Sequence, residues 1–220
     1  MKDLPKTPVT SRRGRRGFEL EPHVLNDTSG IIDFLRTRRS AEPAQITGPG
    51  PDDGQLELLL EIAARTPDHG KMEPWRFIVI RGRAKDEFAA FAKNRWQELN
   101  AGEPLGKKAL YDLIEKAPLI IVVVSRAADH PKVPAWEQRL SAGAACMNML
   151  TAATAMGLAM QWRSGWPAED EKTFRYLGLT ENETIAGLMF TGSLDPSAPR
   201  SDRRRPFWRD LTTFWQPDEA

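Results

Sequence analysis

Three short polar clusters combine residue types that bind anions. The first cluster, Arg38-Arg39-Ser40, offers two guanidinium groups and a hydroxyl in consecutive positions. Arginine binds phosphate through paired N–H donors and serine adds another donor, so this cluster suits a phosphate monoester. The same residues also suit a helix C-terminus, where arginine complements the helix dipole. Both interpretations stay open on the residues alone.

The second cluster, Arg65-Thr66-Pro67-Asp68-His69-Gly70, lies at the end of a predicted helix. It leads through Pro74 into a predicted core strand. Pro67 and Gly70 favour a turn at this point. Arg65 and His69 then direct hydrogen-bond donors into one cavity. In the alternative interpretation, Asp68 caps the turn backbone and His69 is an ordinary surface group.

The third cluster, Trp162-Arg163-Ser164-Gly165, comes directly after a short apolar segment. An arginine beside a buried segment is costly unless its charge is paired. Its partner is either an anion or carbonyl of a ligand, or an acidic side chain of the protein. The residues do not decide between the two.

Composition and missing motifs exclude several classes of protein. The chain has 220 residues, and 31 Lys and Arg against 30 Asp and Glu leave a net charge of +1, which gives no case for a dedicated nucleic-acid binder. The single Cys excludes a disulfide framework, and three scattered His predict no metal site. The sequence has no G-x-S-x-G elbow, P-loop or G-x-G-x-x-G fingerprint. Without a secretory signal pattern in its first twenty residues, we expect a cytoplasmic protein.

Alternating helices and strands must position the three clusters. A capping box at Asp52 and Gln55 begins a helix that ends at Pro67. Residues 119–124 are uniformly apolar and predict a strand buried on both faces. Further strands are predicted over 75–80, 158–162 and 185–191, with helices over 83–98, 104–116 and 169–176. Such alternation is typical of an α/β or α+β architecture.

A long helix is predicted over residues 136–156, and residues 140–160 carry no charge. That length would span a bilayer. The content is rich in alanine and includes polar Asn148 and Thr151, and Gly157 ends it, so we interpret it as a buried helix. A chain of this size rarely needs such a helix for its own core, so the helix predicts an obligate subunit interface, where its small residues allow close helix approach.

The sequence resembles the FMN-dependent nitroreductase family over roughly residues 29–195, and within it the YdjA subgroup. Four blocks occur in the family's order, and their joint occurrence is far more specific than any one of them. The blocks are Thr37-Arg38-Arg39-Ser40; residues 65–77, with Pro67-Asp68-His69 and Pro74-Trp75-Arg76-Phe77; residues 132–143, with Trp136-Glu137-Gln138; and Trp162-Arg163-Ser164-Gly165. The expected divisions are a basic arm over 1–22, an FMN-binding domain over 23–195 and an aromatic and basic extension over 196–220.

The resemblance implies an α+β fold, with a central mixed β-sheet flanked by helices, in an intertwined homodimer. FMN would lie at the subunit interface. Arg38, Arg39 and Ser40 would hold mainly its phosphate, and Arg65 and His69 would contact it from the other subunit. Trp162, Arg163 and Ser164 would line its isoalloxazine ring. Arg203, Arg204 and Arg205 either add a phosphate contact or are solvated.

The resemblance also implies the activity. NADH or NADPH would pass a hydride to flavin N5 and leave, and an electron-poor acceptor such as a nitroaromatic or quinone would then be reduced. No side chain is expected to be catalytic, because the cofactor carries the chemistry. A flavin-binding carrier or sensor without turnover, another flavin chemistry on the same fold, and a nucleic-acid or assembly factor using the basic ends remain as alternatives. We expect neither nucleic acid nor membrane as a partner.

Overall fold

A computed structural model describes residues 6–10, 16–100 and 109–217. The chain divides into two compact units, which are Met1–Arg39 with Pro199–Ala220, and Ser40–Ala198. The first cluster is therefore split, because Arg38 and Arg39 belong to the first unit and Ser40 to the second. Residues 23–39 lie in the first unit, whereas one domain over 23–195 was expected.

Eight strands and six α-helices are formed by the described residues. The strands are β1 (Lys6–Thr10), β2 (Arg16–Leu20), β3 (Ile46–Thr47), β4 (Trp75–Arg81), β5 (Leu119–Ser125), β6 (Leu158–Arg163), β7 (Thr184–Leu194) and β8 (Arg205–Pro206). The helices are α1 (Ile31–Thr37), α2 (Asp53–Ala64), α3 (Arg83–Leu99), α4 (Ala109–Lys116), α5 (Ala135–Ala155) and α6 (Glu171–Tyr176).

The first unit contains an antiparallel sheet of three strands in the order β1-β2-β8. The predicted basic arm thus contributes two strands, and its residues 1–5 and 11–15 lie outside the described residues. Asp202 joins the strands, because its buried carboxylate accepts hydrogen bonds from the Leu20 backbone N–H at 3.1 Å and from Arg205 Nη2 at 3.1 Å. Beyond β8 the tail carries exposed Trp208, Phe214 and Trp215.

The second unit contains a five-stranded sheet with the order β3-β7-β5-β4, and β6 also pairs with β7. The α+β class is confirmed, but each of these pairs is antiparallel, so the expected mixture of parallel and antiparallel pairs is absent from the described strands. The route from β4 to β5 shows how one of these antiparallel pairs arises. The chain leaves β4 at Arg81 and re-enters the sheet at Leu119, which is the residue paired with Arg81. Two helices rather than one make this connection, and they return the chain to the same end of the sheet.

Strand β5 is buried along its whole length, which confirms the prediction from its uniform apolar sequence. Its side chains alternate between two apolar clusters, one on each face of the sheet. Ile120, Val122 and Val124 pack in the cluster that includes residues of α3 and α4. Leu119, Ile121 and Val123 pack in the cluster that includes residues of α2 and α5. The sheet is therefore the middle layer of this unit.

Helix α5 combines a buried face with an exposed apolar face. Ten of its residues are buried, including Cys146 and Met149. Trp136 is 61% exposed and Leu140 is 64% exposed, and Met147 is also exposed. Over the residues that the structure describes, none of the helices combines the length and apolar content needed to span a membrane. Helix α5 thus has an apolar face with no cover within its own unit.

An ion pair between β4 and the loop before β7 predicts how stability depends on pH. Arg76 Nε and Nη2 donate to the two carboxylate oxygens of Glu183 at 2.6 and 2.7 Å. These hydrogen bonds lower the pKa of Glu183 from 4.5 to about 2. Burial opposes this shift, and a hydrogen bond from the Thr180 backbone N–H assists it. Stability from this pair is therefore present above pH 4.5 and is lost as the pH falls towards about 2.

We expect the free energy of unfolding to fall by about 2–3 kcal/mol from this pair across that interval, because a shift of one pKa unit corresponds to about 1.4 kcal/mol. Urea unfolding between pH 7 and pH 2.5 measures it. Glu183→Gln removes the titrating group and should flatten this part of the profile. Asp53→Asn removes an exposed carboxylate that pairs with Arg81, and should leave the profile unchanged. Equal profiles for the wild-type chain and Glu183→Gln would contradict the assignment.

Candidate functional site

The loop that follows α2 is attached to α5 at three points. Asn148 Nδ2 donates to Thr66 Oγ1 at 2.8 Å, and Ser141 Oγ donates to the Pro67 carbonyl at 2.7 Å. His69 Nδ1 lies 3.0 Å from Glu137 Oε1. Positions 137, 141 and 148 lie on one side of a helix of 3.6 residues per turn. One side of α5 therefore holds this loop at Thr66, Pro67 and His69.

The backbone of this loop turns sharply after His69. Gly70 has φ = 74°, in the left-handed region that favours glycine. The Asp68 carboxylate accepts a hydrogen bond from the Glu73 backbone N–H at 2.8 Å. Asp68 thus caps the turn, as the second interpretation of this cluster expects, but the His69 ring is oriented by a carboxylate partner.

An open cavity of about 630 Å³ lies between this loop and the first half of α5. Its lining residues are Pro67, Asp68, His69, Glu137, Leu140, Ser141 and Ala144. His69 and Glu137 supply polar groups to a wall that is otherwise mainly apolar. Arg65 is exposed at the end of α2 and is not among the lining residues, so the structure does not direct both donors into this cavity.

The third cluster is placed by strands β6 and β7. The Trp162 indole Nε1 donates to the Ala186 carbonyl at 3.2 Å, which holds the ring against β7. Arg163 ends β6, and exposed Ser164 follows it. Gly165 then turns the chain with φ = 100°.

The segment containing Ser40 lies beside the same strand. The Ala41 backbone N–H donates to the Met160 carbonyl at 3.1 Å. Met160 precedes Trp162 by two residues in β6. The structure therefore brings Ser40 and the third cluster to neighbouring positions within the second unit.

Helix α5 separates the second cluster from the third. Its residues Gly143 and Cys146 face Trp162: a Cβ built on Gly143 would lie 3.9 Å from Trp162 Cη2. Residue 143 is about 120° around the helix from Glu137, which faces the loop. The exposed residues Trp136, Leu140 and Met147 occupy the sector between these two sides. The apolar face of α5 therefore lies between the two polar clusters.

Arg38 lies at the C-terminus of α1, as one interpretation of the first cluster expects, and it is also surrounded by other guanidinium groups. Burial, and then the positive charges of Arg205, Arg39 and Arg203, lower the pKa of Arg38. Arg205 Nη2 is 3.4 Å from the Arg38 carbonyl, and Arg39 Nε donates to the Ser201 carbonyl at 3.1 Å. Four guanidinium groups thus converge in the first unit, and an anion would relieve their mutual repulsion.

Sequence reasoning missed Glu137 as the partner of His69, and it left Arg203, Arg204 and Arg205 open between a phosphate contact and solvation. Glu137 lies inside a block matched to the family, but its partner His69 is 68 positions away, and no local pattern links them. Arg203 and Arg205 reach Arg38 because β8 pairs with β2 and Asp202 holds Arg205.

Known proteins are similar to this chain over most of its length. The family model "Nitroreductase family" matches residues 35–193. The Escherichia coli K12 protein named "Putative NAD(P)H nitroreductase YdjA" is 36% identical over 162 residues, which cover 74% of this chain and 87% of that protein.

Solved structures share the fold. A nitroreductase-like family protein from Bacillus cereus has a TM-score of 0.70 at 24% identity, and the match covers 84% of this chain and 96% of that one. A Desulfovibrio desulfuricans protein, described as a "putative nitroreductase in complex with FMN", has a TM-score of 0.61 at 25% identity and covers 83% and 95%.

Proposed function

Since the chain belongs to the nitroreductase family, we propose that it is an FMN-dependent oxidoreductase that uses NADH or NADPH to reduce nitroaromatics, quinones or similar electron-poor acceptors. The names of its relatives support the reductant, and the FMN complex of a structural neighbour supports the cofactor. The observation within this chain that carries the proposal is the convergence of Arg38, Arg39, Arg203 and Arg205. Such a donor set suits a dianionic phosphate group.

At the phosphate end, Arg38 and Arg39 would bind the phosphate oxygens, with Ser40 as a further donor. Arg203 and Arg205 would add positive charge from the tail. The Asp202 carboxylate accepts a hydrogen bond from Arg205 and offsets part of this positive charge. The chemistry of this cluster therefore fits FMN rather than an uncharged flavin such as riboflavin.

At the ring end, Trp162, Arg163 and Ser164 would line the isoalloxazine. Trp162 is 36% exposed, so its indole offers a flat apolar surface while its Nε1 is already bonded within the sheet. Bound FMN would supply the acceptor and donor of hydride. The protein would supply orientation and charge, and a guanidinium from Arg65 or Arg163 would favour negative charge beside the ring. We propose no catalytic acid or base among the side chains.

We propose that the protein functions as a homodimer formed through the apolar face of α5. The exposed Trp136 and Leu140 need a cover, and a second copy offers the same surface in a two-fold arrangement. This face lies between the loop of His69 and the side of Trp162. Pairing two such faces would bring Arg65 and His69 of the partner subunit to the flavin site built around Trp162.

We also propose a cytoplasmic location. The only cysteine of the chain, Cys146, is a buried free thiol. A free thiol and a dependence on NAD(P)H both suit a reducing compartment.

The absorbance spectrum of the purified protein, before and after NADPH is added without oxygen, tests the activity. We expect a yellow protein with a flavin spectrum that NADPH or NADH bleaches, and whose colour returns when a nitroaromatic or quinone is added. A yellow protein that neither nucleotide bleaches would instead indicate a carrier or sensor. Bleaching without reoxidation by these acceptors would indicate another flavin chemistry. A colourless protein that does not bind added FMN would contradict the proposal.

A further inference from the structure

Trp162 occupies space that a side chain at residue 187 would need. A Cβ built on Gly187 would clash with the edge of the indole, 2.6 Å from Trp162 Cδ1, and would lie 3.1 Å from Cys146 Sγ. Real Cβ atoms do not approach other atoms this closely, and the crowding atoms belong to a rigid ring and to a buried side chain. Any residue larger than glycine at 187 must therefore move the indole.

The register of the sheet explains why this position is critical. Trp162 is paired with Met189 across β6 and β7, so Gly187 is its diagonal neighbour on the same face. The indole reaches across to this neighbour and bonds to the carbonyl of Ala186. Cys146, fully buried on α5, places its Sγ 3.1 Å from the same Cβ position and limits the space there. The missing side chain of Gly187 thus leaves a shallow space in which the indole lies, and we call this space the seat of the indole.

We propose that Gly187 is a positioning residue for flavin binding, because its missing side chain sets the depth of the Trp162 indole. This inference rests on the proposed function, in which Trp162 lines the isoalloxazine ring. A methyl group at 187 would push the indole out of its seat and into the space that the flavin ring would occupy. The effect should fall on the ring end of FMN and not on its phosphate.

Fluorine NMR of protein labelled with 5-fluorotryptophan reads the position of Trp162 without any flavin. The chain contains seven Trp, and the resonance missing from Trp162→Phe identifies Trp162. We expect Gly187→Ala to shift this resonance. Gly143→Ala is the matched control, because its methyl group would lie 3.9 Å from the same indole, an ordinary contact distance, and should shift it little.

Flavin binding then tests the functional part. We expect Gly187→Ala to raise the Kd values of FMN and of riboflavin by the same factor, tenfold or more, and to alter the visible spectrum of the residual bound flavin. A loss confined to FMN would overturn the inference, since it would place the effect at the phosphate. The double variant Gly187→Ala/Trp162→Phe replaces the indole by a smaller ring and should bind flavin as well as Trp162→Phe alone. This comparison keeps the inference testable if Gly187→Ala folds poorly.

The outcomes separate this inference from the proposed function. If the wild-type chain binds flavin but Gly187→Ala leaves both the Trp162 resonance and the two Kd values unchanged, the role of Gly187 is wrong and the function stands. If the wild-type chain binds no flavin, the proposed function fails and the role given to Gly187 fails with it.

Discussion

Replacing Arg38 by glutamine is expected to weaken FMN binding about 100-fold while leaving riboflavin binding unchanged. Burial lowers the pKa of Arg38, and the positive charges of Arg205, Arg39 and Arg203 lower it further, so all three raise the positive potential around it. Hydrogen bonds between charged groups contribute about 1.5–3 kcal/mol each, and a 100-fold change in Kd corresponds to about 2.7 kcal/mol. Titration of the apoprotein with either flavin, monitored by the quenching of flavin fluorescence, measures both affinities.

The comparison with riboflavin makes this prediction specific, because riboflavin lacks the phosphate. Arg209→Gln is the control: Arg209 lies in the same unit, where its guanidinium stacks over the Trp208 ring at 4.5 Å. It should leave both affinities unchanged. Equal losses of FMN and riboflavin affinity in Arg38→Gln would indicate general damage to the fold and would contradict a phosphate site at Arg38.

A second property of the cluster is its dependence on salt. Attraction between four guanidinium groups and a dianion weakens as ionic strength rises. In the wild-type chain, FMN affinity should therefore fall with salt more steeply than riboflavin affinity. In Arg38→Gln the difference between the two slopes should shrink.

Local signals in the sequence were sufficient for most elements of the second unit. The capping box predicted at the start of α2 is present, with the Gln55 backbone N–H donating to Asp52 Oδ1 at 2.8 Å. The apolar run of β5 predicted its burial on both faces. These elements follow from residues within one or two turns of each other, so the sequence alone contains the information.

Features that depend on distant pairing were not predictable in this way. Strand β8 has two residues, Arg205 and Pro206, and exists only because it pairs with β2 almost two hundred positions earlier. Strands β1 and β2 carry no strong apolar alternation, so charge dominated their interpretation as a solvated arm. The antiparallel order of the sheet likewise depends on where the chain re-enters it, which periodicity does not encode.

The candidate sites show the same division. Residue types identified Arg38, His69 and Trp162 as members of polar clusters, because guanidinium, imidazole and indole groups beside apolar segments are unusual without a partner. Their surroundings came only from the fold. Glu137 orients His69 from α5, and Gly187 provides the seat of Trp162 from β7.

A charge at Leu140 should abolish both the proposed dimer and the flavin site that depends on it. Leu140 is 64% exposed in the single chain, and it lies on the same face of α5 as Trp136. Burying a leucine contributes about 2 kcal/mol to the free energy of association. In a two-fold dimer the substitution is present in both subunits, so the loss occurs twice. Leu140→Arg also places two guanidinium groups in an apolar contact, where each unpaired charge costs several kcal/mol. The dissociation constant of the dimer should therefore rise 1000-fold or more.

Sedimentation velocity at about 10 µM, together with flavin absorbance, measures this outcome. Leu140→Arg should sediment as a folded monomer without bound FMN, because residues 65–69 would no longer reach the site of a second chain. Leu58→Arg is the matched control, since Leu58 is 42% exposed on α2 in the same unit and lies outside the apolar face of α5. It should remain a yellow dimer. A wild-type chain that sediments as a monomer would contradict the proposed dimer. A Leu140→Arg monomer that retains FMN with full affinity would show that the flavin site is complete within one chain.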